Sequence, residues 1–246
     1  MRLQKNHILL LFKFMVKKLH SFTVLKTVVK KVEEKTEDGI LIKEVKSVED
    51  IGCFVRLPGR REIEQMRVIQ SAEFGKAVAM GVQSRESMRT AILNQGGFAY
   101  AKADLEELDI LLPELNLKRN EYQKIKVDGG DTTEIELEFQ ELYGKVQKME
   151  ARLLEVYEHT AESISERETT LWAVLNLLHW ESGQPVFAGH ADETRRTNYY
   201  QAFDDAETHG AEVAAFERAF LILDAFLFKG VTEDKMDDFA ELIRTE

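Results

Sequence analysis

Hydrophobic and polar positions change rhythm along this chain. Between Phe22 and Val48 apolar residues alternate with lysines and glutamates, and Asp38-Gly39 sits between two such runs, a hairpin signal. A third run, Cys53-Phe-Val-Arg56, precedes the break at Leu57-Pro58-Gly59, so a small antiparallel sheet is expected over residues 15–57. After Pro58 the rhythm becomes helical. Residues 60–82 carry Ile63, Met66, Ile69, Phe74, Ala77 and Val78, and Ser84 caps a short helix that stops at Gly96-Gly97. Residues 105–125 read as one or two helices interrupted near Pro113. Ile135, Phe139, Leu142, Val146, Met149, Leu153 and Val156 then recur at spacings of 4 and 3, an a/d seam on a helix of about 30 residues, with a capping box from Thr133 to Glu136. Such a seam requires a partner helix, either inside the chain or on another subunit, and the internal partner is the expected one because a second apolar helix follows at once.

A second capping box, Ser165 with Glu168, opens an apolar helix expected to run to Trp180 and to be buried. Beyond the Gly183-to-Gly189 loop, residues 192–206 read as an acidic helix. Residues 211–228 form an apolar helix whose Glu217, Arg218 and Asp224 exclude membrane insertion, and Thr232 caps a last amphipathic helix bearing Met236, Phe239, Leu242 and Ile243. The fold class is therefore mainly α (α+β): a small N-terminal β-hairpin or sheet over 15–57, then a helical bundle over 58–246 with a long coiled-coil-like helix. Residues 1–14 stand apart. Their Ile8-to-Met15 run is too short to span a bilayer and lacks a signal-peptide cleavage pattern, so they read either as an over-called translation start before Met15 or as a loosely attached helix.

Charge and composition narrow the function classes. The net charge is −11; residues 1–48 hold 11 Lys/Arg against 5 Asp/Glu, and residues 49–246 hold 22 against 39. A body of −17 disfavours nucleic acid as a partner, while the basic N-terminal part admits an acidic one, as in a regulatory adaptor. Cys53 is the single cysteine and reads as an inert free thiol in a reducing compartment. The sequence lacks phosphate-binding, dinucleotide, zinc-protease and nucleophile-elbow motifs, so no catalytic residue, cofactor or resident metal is assigned. Two arrangements carry some chemistry. Glu155, His159 and Glu162 share one face of a carboxylate-rich helix from Glu150 to Glu168, but none of the six histidines has a glutamate three residues before it, as the bundle di-metal motif needs. His190 with Asp192 and Glu193 makes a loose ligand group, and helix-start acids explain the last two equally well. An intracellular metal-binding protein or enzyme built on Glu155, His159, Glu162 and His190 is the alternative reading. His179 is a base or a packed ring. Trp180 and Phe187 staple the loop or, if exposed, form a contact surface, and Phe226 and Phe228 are core or contact residues by the same criterion.

The order of several motifs adds a further expectation. Leu153-Leu-Glu-Val-Tyr-Glu-His-Thr-Ala-Glu162, Thr170-Leu-Trp-Ala-Val-Leu-Asn-Leu-Leu178 and Gln184-Pro-Val-Phe-Ala-Gly189 follow Arg56-Leu-Pro-Gly-Arg-Arg-Glu-Ile63 and the Gly96-Gly97 stop. This series resembles a family of tailed-bacteriophage virion structural and assembly proteins over about residues 50–206. The resemblance implies a non-enzymatic tail, baseplate or assembly-chaperone role, with other virion or assembly proteins as partners, a homo-oligomer admitted, no membrane, and residence in the virion or in the host cytoplasm during assembly.

Overall fold

The structure is a computed structural model that describes residues 17–36, 39–95, 99–189, 191–206 and 208–242, with residues 28–46, 95 and 99 described by backbone alone. It is mainly α (α+β), as expected. The extension 1–14, Asp38 of the hairpin signal, the Gly96-Gly97 stop, His190 and Ile243 lie outside the described residues. The chain divides into two compact units, residues 1–70 with 166–246 and residues 71–165, a division that does not follow a boundary at residue 57.

The first unit contains the sheet. β1 (Lys18–Thr36) and β2 (Gly39–Arg56) pair antiparallel from Lys18↔Arg56 to Thr36↔Gly39, a hairpin as the Asp38-Gly39 signal implied. A register shift between Lys18 and His20 adds one residue to β1, which lets Leu19 and Phe22, three apart, both be buried with Val24. Cys53-to-Arg56 is the end of β2 and not a strand of its own. The third strand, β3 (Leu178–Trp180), comes from far along the chain and pairs with β2 through Cys53↔Trp180, Phe54↔His179 and Val55↔Leu178.

Helix α1 (Arg60–Ala79) begins where Pro58-Gly59 ends the strand; Glu62 accepts the Gly59 N–H at 2.6 Å and the Arg56 guanidinium at 3.0 Å, which ties the strand end to the first helical turn. Helix α5 (Ala161–Leu177) is apolar on most sides and buried from Leu171 to Leu175 and at Leu177, as expected, but it stops at Leu177 and not at Trp180. The physical reason is the open edge of β2: Leu178 to Trp180 pair along it on one side, and on the other the Leu178 carbonyl accepts the Val186 N–H at 3.2 Å while the Trp180 N–H bonds the Gln184 carbonyl at 2.8 Å. Helix α6 (Asp192–Asp204) and helix α7 (Gly210–Phe228) complete the packing. Ala211, Ala215, Ala219 and Ile222 form a buried stripe on α7, and small side chains there let the helix lie close to β1. A 3₁₀ turn, Glu233–Lys235, leads into α8 (Met236–Leu242), which buries Met236 and Ala240; Leu242, expected on the apolar face, is exposed.

The second unit is helical. α2 (Arg85–Gln95) starts as read, with Ser84 Oγ accepting the Ser87 N–H at 3.1 Å. α3 (Ala99–Val127) and α4 (Thr133–Tyr157) form an antiparallel hairpin: Asp104 bonds Arg152 and Lys118 bonds Glu138, so fourteen residues forward on α3 match fourteen back on α4. The seam therefore pairs within the chain, but with α3 before it and not with the apolar helix that follows, because the short 128–132 connection folds α4 straight back on α3. Every one of its seven positions is buried or half-buried, and Val146, Met149 and Leu153 form one core with Ala101, Leu105 and Leu108 of α3. Three local expectations change. α3 runs unbroken through Pro113, because the proline is exposed and packing on α4 outweighs its lost bond, about 3 kcal/mol in an isolated helix. The first turn of α4 is held by Asp131, whose carboxylate accepts the Thr133 N–H at 2.9 Å, and not by a Thr133 box. Ser165 lies inside α5 and donates to the Glu162 carbonyl at 2.8 Å, so it caps nothing.

Candidate functional site

The residues that sequence reasoning grouped for metal chemistry do not form one site. α4 ends at Tyr157 and α5 begins at Ala161, so Glu155 and Glu162 stand on different helices and the shared face of Glu155, His159 and Glu162 does not exist. The break is made by Thr160, whose N–H and hydroxyl both turn back to the Tyr157 carbonyl, at 3.0 and 2.8 Å. Glu155 and His159 are exposed, and Glu162 accepts the Arg85 N–H at 2.8 Å, a first-turn bond of α2. His190, the fourth member, is outside the described residues. Among the described residues, no group of three or more His, Cys, Asp or Glu side chains is placed to hold a metal ion.

The Trp/His loop is an entry into packing. His179 directs Nδ1 at the Leu177 carbonyl, 2.9 Å away, and stacks on Phe54 with centroids 5.5 Å apart. Burial pulls its pKa below the ordinary 6.5, which favours the neutral ring. Phe187 is 2% exposed and packs edge-on to Tyr199 and Phe216, so it anchors the loop in the core. Trp180 is half-buried at a cavity that it shares with Lys26, Asp50 and Glu212. Phe226 is half-buried against the core, and Phe228 is half-buried at the end of α7. Trp172 is buried and donates its indole N–H to Asp192 at 2.9 Å, so this helix-start acid is already engaged. Cys53 is 2% exposed; burial, then the Glu212 carboxylate, push its thiol up to about 12 and leave it without thiolate character.

What the sequence reading missed lies on α6. Tyr199, Tyr200 and Phe203 fall at i, i+1 and i+4, and Phe216 and Phe220 at i, i+4 of α7. Those two aromatic ridges meet. Tyr199 lies 4.5 Å from Phe216 and 4.8 Å from Phe203, centroid to centroid, and Phe216 lies 5.8 Å from Phe220. With Leu171 of α5 and Leu221 of α7 they line a groove of about 630 Å³, bordered by Arg167, Glu168 and Glu217. That volume is in the range of binding pockets, roughly 300–1,000 Å³. Desolvation raises the Tyr199 pKa, so its hydroxyl remains protonated against the apolar floor. Tyr200, Phe203 and Leu221 stay 51%, 37% and 47% exposed. A residue series read as an acidic helix thus contributes the aromatic wall of a groove; the i, i+4 spacing was the available signal.

No family model matches the chain, and no curated protein or solved structure matches it. Among the described residues, no helix is long and apolar enough to cross a membrane.

Proposed function

We propose that the chain is a non-enzymatic phage virion structural or morphogenesis protein, either a tail or baseplate-type component or an assembly chaperone, that works by protein contact through the aromatic groove. The observation that carries the contact reading is the groove itself, where three large side chains, Tyr200, Phe203 and Leu221, remain solvent-facing beside an ordered aromatic floor. The ordered motifs from Arg56 to Gly189 support the phage setting. On this reading the partners are other virion or assembly proteins, and the chain resides in the virion or in the host cytoplasm during assembly. Mass spectrometry of purified particles and of assembly intermediates tests it. A defined copy number in particles identifies a built-in component, and presence in intermediates alone identifies a chaperone. Absence from both overturns the proposal.

A further inference from the structure

Resting on the contact reading of the groove, we infer that its occupant is one amphipathic α-helix of a second, different protein, docked by large apolar side chains and carrying net positive charge. The walls decide the conformation of the occupant. They are the side chains of α5, α6 and α7, whose backbone groups along the groove are engaged inside those helices, so no strand edge is open there. An extended segment laid in the groove would give up water from its N–H and C=O groups and find no partners. A helix arrives with those groups satisfied, and its apolar face at i, i+3, i+4 and i+7 meets Tyr200, Phe203 and Leu221 over the buried floor.

Charge decides the identity of the occupant. Arg167 on α5 and Glu217 on α7 are both exposed at the rim, and among the described residues neither forms an ion pair; Glu168, between them in the lining, is held by Arg196 at 2.8 Å. The docked helix therefore presents an acid to Arg167 and a lysine or arginine to Glu217. Residues 49–246, with 22 basic against 39 acidic side chains, attract a net basic helix and repel a second copy of the same body.

The test uses the full chain and a fluorescent synthetic peptide of roughly 18 residues, five helical turns. The peptide carries leucine and phenylalanine on one face, one terminal glutamate and lysines elsewhere; a scrambled peptide of the same composition is the control. Fluorescence anisotropy should show saturable binding of the amphipathic peptide only. Leu221→Lys and Tyr200→Glu, both at exposed positions, should each weaken it about tenfold or more, while Leu25→Lys, exposed on β1, leaves it unchanged. Glu217→Lys should weaken it and be rescued by a peptide whose facing lysine is glutamate. Equal binding of the scrambled peptide, no saturable binding, or indifference to both groove variants overturns the inference. So does groove-dependent self-association in sedimentation, which assigns the face to a second copy. If the chain is found in particles while its groove takes no helix, this inference falls and the proposed function stands; helix binding by a chain absent from particles and intermediates gives the reverse.

Discussion

The helical hairpin of residues 71–165 and the sheet-bearing unit bury their apolar side chains by opposite routes. In the hairpin the partners are near in sequence: α3 and α4 are joined by residues 128–132, and their facing positions repeat at 3 and 4. Ion pairs border that seam, Lys118 to Glu138 at 2.6 Å and Arg152 to Asp104 at 2.6 Å, and Arg89 to Asp109 at 2.5 Å ties α2 to α3. In the sheet-bearing unit one core draws on β1, β2, α5, β3, α6, α7 and α8, with members from Leu19 to Met236. Its organisation comes from contacts across long sequence separations, which cost more loop entropy to form and follow no single period. A regular seam states that it needs a partner helix and which of its positions face it, whereas a core assembled from distant segments states only that each segment is apolar.

The distributed core should be the more sensitive of the two to a single truncation. Ile222→Ala removes a fully buried side chain from α7 and should cost about 2–5 kcal/mol in urea unfolding followed by tryptophan fluorescence, since Trp172 and Trp180 both belong to this unit. Leu137→Ala on the exposed side of the hairpin should change stability by less than about 0.5 kcal/mol. A small loss at Ile222 would mean that the distributed core repacks freely.

The hairpin has its own asymmetry. The Asp104 side chain is 9% exposed and that of Arg152 56%, so Arg152→Ala strands a buried carboxylate while Asp104→Ala releases an arginine to water. Arg152→Ala should lower Tm more; the reverse order would sink this account of the pair.

Acid should act on the sheet-bearing unit in two steps. The half-buried His179 has a pKa below 6.5, so under pH 6.5 the unfolded chain takes a proton that the folded ring resists, and stability falls with pH from there. Burial of Glu62 opposes its charge, but the bonds from Arg56 and the Gly59 N–H win, and its pKa is held below 4.5. Its contribution is complete above about pH 4.5 and is lost as pH drops through the folded value. His179→Phe should flatten the first step and Glu62→Gln the second in a pH series of urea midpoints. The smallest effect is chemical: at pH 8 the native Cys53 thiol should resist iodoacetamide and react only on unfolding, and rapid native labelling would show that the sheet-bearing core opens easily.

Much of the fold was determined by the sequence alone, wherever one stretch contains its own instruction. The hairpin signal at Asp38-Gly39 falls where β1 and β2 turn into each other, Ser84 starts α2, and the seam from Ile135 to Val156 finds its partner within the chain, although in the helix before it and not the one after. Tertiary structure decided the rest. Leu178-His-Trp180 has the apolar character of the helix before it, and only the open edge of β2, more than a hundred residues earlier, makes it a strand. Pro113 reads as a break, and only the packing of α3 on α4 overrides it. Glu155, His159 and Glu162 looked continuous until the turn at Thr160 separated them. The aromatic groove was the least legible part, because Tyr199 and Phe216 acquire meaning only when α6 and α7 meet. A local pattern records what a segment buries; which distant segment covers it, and which side chains are left facing solvent, is set by the three-dimensional packing of all of them together.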